Sequence, residues 1–252
     1  MRSSVRTTSA LPSSAAPERS RWDPARLVSA LALGSWAALF WFMLVAGRVN
    51  LYLSTRTAWV VPLGAAILSV ATVGATLSAR RTARQPLLRR HALLAAALIL
   101  PVILISSAPP TVLGSFSASR KAQFAGRGLY TRFGTFGADS EITLLFAAAA
   151  QFNSDASTLL ARRAGSEVRF TGFVQHFPST PPDEFLLTRL VATCCVADTV
   201  VVSVRVIGAP STYATDEWVS VTGEIYPVGG EVIVQASSVE QIQVPEDPYL
   251  TP

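Results

Sequence analysis

Two cysteines stand side by side at Cys194 and Cys195, with Asp198 three residues further on, and they are the only cysteines among 252 residues. Arg189 precedes the pair by five positions. Thiol sulfur beside a carboxylate suits three kinds of chemistry: holding a soft metal or metalloid, relaying electrons through a thiol, or nucleophilic attack. Cys194, Cys195, Asp198 and His176 are the candidate metal ligands, and Arg189 is a further candidate companion. Two cysteines and two histidines, His91 and His176, make neither a disulfide framework nor a four-ligand Cys/His zinc site within one chain. Adjacent cysteines are also strained disulfide partners. A nucleophile needs a base, and nothing in the sequence pairs His176 with Cys195. No catalytic residue, cofactor or enzymatic activity is therefore expected.

The cysteines end the run FLLTRLVATCCVAD, residues 185–198. Strand alternation puts Leu186, Leu190, Ala192, Cys194 and Val196 on one face, and Leu187, Arg189, Val191, Thr193 and Cys195 on the other. Cys194 is expected in a core. Cys195, on the mixed face at a strand end, carries the functional expectation, and two cysteines on opposite faces do not chelate together unless a bulge intervenes.

Four further runs share the period of two. Val168, Phe170 and Val174 fall on one face of the first, and Val200, Val202, Val204 and Val206 on one face of another. Val219, Val221 and Ile225 do the same in the third, while residues 229–244 supply a last strand, broken near Ser237-Ser238. Gly172 and Gly223 sit inside strands, where glycine marks a bulge or sharp curl. Five short curled strands suggest a small OB-fold-like barrel over 165–245, with an open sandwich as the alternative.

The rest of the chain reads as a membrane anchor. Half of the residues are hydrophobic, 15% are charged and the mean hydropathy is +0.39. Uncharged runs at about 27–46, 58–79 and 92–108 have the length of transmembrane helices, and Pro101 inside the third predicts a kink. Five arginines precede the first run, two (Arg48, Arg56) lie in the first loop and five (Arg80, Arg81, Arg84, Arg89, Arg90) in the second. That bias places the amino terminus in the cytoplasm and the barrel outside it. The net charge of +5 thus serves topology, and no nucleic-acid partner is expected. Residues 1–24 read as a disordered tail, 25–116 as the three-helix membrane domain, 117–140 as a Gly-rich connector, 141–164 as one or two short helices and 246–252 as a tail. Ser140 and Thr143 are cap candidates, and Asn153-Ser154-Asp155 a break between the helices.

TGFV at 171–174, LLTRLVATCCVADTVVVSVRV and EWVSVTGEI together resemble the carboxy-terminal signature of the YcgQ-like family of permease subunits. The spans and the Ala108-Pro109-Pro110 turn agree with it. Its most specific part falls on Arg189, Cys194, Cys195 and Asp198; the valine run after Thr199 departs from it. The resemblance implies a multi-pass protein of the cell membrane, embedded in the lipid bilayer and working with a separate multi-span permease of the kind that exports metalloids or metal complexes. Three spans without internal charge offer no polar pathway of their own, which favours an accessory subunit. The alternatives are a membrane-anchored ligand-binding OB-like module without a permease, and a thiol redox protein using Cys195.

Overall fold

The computed structural model describes residues 22–80, 89–108, 111–122, 136–177, 180–181, 183–209 and 212–252. Most of the amino-terminal tail, Arg81 and Arg84, the Pro109-Pro110 pair and most of the expected connector lie outside the described residues.

Among the described residues, three helices are long and apolar enough to cross a membrane: α1 (Pro24–Val45), α2 (Val60–Ala79) and α3 (Arg89–Ser107). α1 starts earlier than its apolar run because Asp23 caps it, accepting the Ala25 N–H at 3.1 Å with Pro24 at the first helical position. The Asp23 N–H donates to Ala79 O at 3.0 Å, fixing the start of α1 against the end of α2. Midway, Gly34 lets Thr72 approach and Gly64 lets Phe40 approach, so α1 and α2 pack closely. Trp36 Nε1 donates to Leu98 O at 2.9 Å, tying α1 to α3. α3 runs unbroken through Pro101.

The expected connector begins as a helix, α4 (Ser115–Ala122). Its composition is polar because it buries little more than one small residue, Ala118, against the following domain. Two short helices come next. α5 (Leu144–Ala150) is capped by Thr143, and α6 (Ser154–Ala161) by Asn153.

The strands are β1 (Glu167–Gln175), β2 (Phe185–Val191), β3 (Val200–Ile207), β4 (Trp218–Val228), β5 (Glu231–Gln241) and β6 (Tyr249–Leu250). The first five close in the order β1-β4-β5-β3-β2 and back to β1, with β3 and β5 parallel and the other pairs antiparallel. This is the five-stranded OB-like barrel expected. β5 is not broken at Ser237-Ser238; Ser237 is the extra residue of a bulge opposite Thr222-Gly223. A Cβ on Gly223 would stand 2.2 Å from Gln235 O, and one on Gly172 2.6 Å from Thr188 O, so the strands meet there only because both residues lack side chains.

The interior holds the alternating residues of β1, β3 and β4 named above, with α5 and α6 adding Phe146 and Leu160. β2 departs from the one-core picture. Phe185, Leu187 and Val191 join the interior, whereas Leu190 and Ala192 lie in a second cluster outside it with Phe173, Val201, Trp218, Tyr249 and Ala118 of α4. Both faces of β2 are buried because α4 and β6 cover the outer one. The expected tail at 246–252 therefore contains β6, which pairs in parallel with Leu190 and Val191, while β1 holds Leu186–Thr188 on the same edge.

Candidate functional site

β2 ends at Val191, short of the cysteines. Asp198 ends it. The carboxylate accepts the N–H groups of Cys194 at 2.9 Å and of Thr193 and Cys195 at 3.3 Å, folding residues 193–198 into a turn that closes in the 3-10 turn Val196–Asp198. Cys195 and Asp198 form a capping box: the Cys195 sulfur accepts from the Asp198 N–H, and the Asp198 carboxylate from the Cys195 N–H. Local side-chain bonding of this kind displaces a strand ladder.

Two expectations are corrected by this turn. Cys194 is exposed instead of lying in the core, and Cys195 is partly buried. The thiols also do not point apart, since leaving the extended conformation removes the alternation; their sulfurs are 3.6 Å from each other. Among the described residues, Cys194, Cys195 and Asp198 form a group whose ligand atoms all lie within 4.8 Å of one another.

The turn is held from two sides. The first loop, between α1 and α2, forms an isolated antiparallel bridge from Leu53 to Cys195. Ser54 Oγ donates to Thr193 O at 2.9 Å and Thr57 Oγ1 to Cys194 O at 2.6 Å. From α4, Lys121 Nζ donates to Ala197 O at 3.1 Å and lies 3.4 Å from Val196 O and Thr199 O. Carbonyls thus face their partners, while the thiols and carboxylate share the remaining side. None of Ser54, Thr57 or Lys121 was expected from the sequence; a polar serine and threonine in a loop beside an apolar span is the faint signal that existed.

Asp198 and Cys194 shift each other. Burial alone would push the Asp198 carboxyl up, but the N–H groups and thiol that it accepts from hold it below the usual carboxylate range. The hydrogen bond to Asp198, then that to Cys195, push the Cys194 thiol up to about 11.

His176 and Arg189 lie outside the group. His176 Nε2 is 2.9 Å from Tyr213 O and its ring meets Phe185 edge-on, at the opposite end of β2 from the cysteines. Arg189 fills the fork where β1 and β6 part: Nη1 donates to Thr171 Oγ1 at 3.0 Å, Nε to Pro248 O at 3.2 Å and Nη2 to Asp247 O, with the guanidinium 5.7 Å from the Trp218 ring centroid. Burial lowers its pKa, with Asp247 opposing. Arg189 is a structural strut between strands.

A cavity of about 610 Å³ opens where the end of α1, the chain before α4 and the barrel meet, among Arg48, Leu113, Phe116, Asp216, Trp218 and Glu246.

These features define an OB-like barrel that follows three helices long and apolar enough to cross a membrane and bears a dithiol–carboxylate turn. Residues 138–252, which hold α5, α6, the barrel and the turn but not the three long helices, match the family model described as the DUF1980 C-terminal domain. No curated protein matches the chain.

Proposed function

We propose that the protein is an accessory subunit of a multi-span membrane permease, with the barrel outside the cytoplasm, where it docks on the permease or presents cargo to it. The observation that carries this reading is the character of the helices. They bring no ionisable side chain into the middle of their spans, and along α3 Leu93, Leu94, Leu98, Leu100, Ile103 and Leu104 are all exposed. Such helices anchor a domain in apolar surroundings but line no path for a polar solute. The resemblance of the Arg189 to Asp198 run to permease subunits supports the same reading. The first loop, bonded to the cysteine turn, couples the anchor to the barrel.

A photo-crosslinker at Leu94 or Leu104, in cells that also express the candidate permease, should capture that permease, and the pair should co-purify in mild detergent. Purification alone, with no crosslink from any exposed α3 position, would refute the accessory role. Orientation has its own test, since Cys194 is exposed. A membrane-impermeant maleimide should label it in intact cells, and labelling only after lysis would invert the topology.

A further inference from the structure

We propose that Cys194 Sγ, Cys195 Sγ and the Asp198 carboxylate bind one thiophilic d10 cation, zinc or a heavier congener such as cadmium, in a three-ligand site with an open fourth position. The geometry of the turn carries this. A tetrahedral centre with two metal–sulfur bonds of about 2.3 Å separates its sulfurs by about 3.8 Å. The sulfurs here stand at 3.6 Å, and the carboxylate oxygen is within 4.8 Å of both. Side-chain rotation that closes the oxygen–sulfur distances to about 3.6 Å would set the three groups at three corners of a tetrahedron.

The backbone is also held as a metal turn would need. Carbonyls of Thr193 and Cys194 are engaged by Ser54 and Thr57, and those closing the 3-10 turn by Lys121, so none competes for the ion. Asp198 is oriented by three N–H groups, the outer hydrogen bonding that metal-ligating carboxylates require. Two sulfurs and one oxygen select borderline-to-soft ions over magnesium or calcium. Binding releases a proton from each thiol that becomes thiolate.

Structural zinc sites close with four protein ligands, whereas three ligands leave room for an exchangeable one. Here Cys194 and Asp198 are exposed, so the fourth corner faces solvent or another protein. An ion held this way can be passed on. That last step rests on the accessory-subunit reading and makes the ion or its complex the permease cargo; the binding itself does not.

The full-length protein, purified in detergent under reducing, anaerobic conditions, is titrated with Co²⁺ as a spectroscopic substitute and then with Zn²⁺. One equivalent of Co²⁺ should give an intense thiolate-to-cobalt charge-transfer band that Zn²⁺ abolishes. Cys194→Ser and Cys195→Ser should each lose most of the band, Asp198→Asn should weaken affinity about 10- to 100-fold, the cost of a lost ligand or outer partner, and His176→Ala should change nothing. A wild type without the band, or a band that survives Cys194→Ser with Cys195→Ser, overturns the site. Should the serine variants misfold, the wild type decides it: Zn²⁺ should protect both thiols from iodoacetamide, and equal alkylation with and without Zn²⁺ overturns the proposal. Binding without any permease crosslink would leave the site standing and remove only the cargo step.

Discussion

Leu53 and Cys195 pair across a gap of more than 140 residues in the chain, and flanking bonds secure the pairing: Val196 N–H donates to Tyr52 O at 2.9 Å and Ser54 N–H to Cys194 O at 3.1 Å. The loop between the first two apolar helices is in effect a short strand added to the cysteine turn. Replacing Ser54, which is buried, with Ala removes the bond to Thr193 O and should cost about 1 kcal/mol locally. Because the barrel core is untouched, the expected outcome is faster hydrogen exchange over 193–198 with an unchanged melting temperature. Exchange unchanged in the turn would show that the loop does not hold it.

The raised Cys194 thiol gives a pH prediction. In a Cys195→Ser background the remaining thiol should stay slow to alkylate at mildly alkaline pH, since Asp198, the first cause of the shift, remains. Removing the carboxylate charge with Asp198→Asn lowers the pKa, so the thiolate fraction rises. A fall of one unit raises the thiolate fraction about tenfold below the pKa, and alkylation speeds up by somewhat less because a less basic thiolate is a weaker nucleophile. Mass spectrometry of iodoacetamide adducts against pH reads this directly, and no acceleration in Asp198→Asn would refute the assignment.

Gly223→Ala places a methyl 2.2 Å from a backbone carbonyl that is part of the sheet and cannot swing aside. Gly172→Ala meets Thr188 O at 2.6 Å. Each should destabilise the barrel by about 2–3 kcal/mol, the upper end of overpacking costs. Thermal unfolding followed in the near-ultraviolet by Trp218 measures it. Gly229→Ala, with open space but φ at +63°, should lose only about 1–2 kcal/mol.

Tyr249 gives a second pH dependence. Burial raises its pKa, with the Leu113 N–H opposing. A folded pKa above the unfolded value means a stability contribution that is complete below the unfolded pKa, near 10, and is lost as pH rises through the folded one. Tyr249→Phe should flatten the alkaline fall of the melting temperature. An identical fall in the variant would place the alkaline sensitivity elsewhere.

Val200, Val202, Val204 and Val206 could be assigned to the interior from spacing alone, because a strand with one buried face writes its geometry into every second residue. Gly223 marked its bulge and Asn153-Ser154-Asp155 the break between two helices for equally local reasons. The cysteine turn was not legible that way. Alternation carried past Val191 put Cys194 in the core, whereas Asp198 collects three N–H groups and ends the strand, a choice that periodicity does not register. α4 was hidden by its polarity, since Ala118 is its one described buried residue. The partners at Ser54 and Thr57 lie 137 to 139 residues from the carbonyls they bind, beyond any local pattern.

The two-sided burial of β2 sets the limits within which the barrel can be handled by itself. A fragment cut at residue 138 would keep the interior except for Phe136, which stacks on Phe146, but would strip away Ala118, Val112 and Leu113, baring Phe173, Leu190 and Trp218 as one greasy flank. It would also lose the amide that meets the Tyr249 hydroxyl and the lysine that braces the cysteine turn. Such a fragment should self-associate through that flank, and the smallest autonomous unit starts near residue 111, at the exit from the third apolar helix.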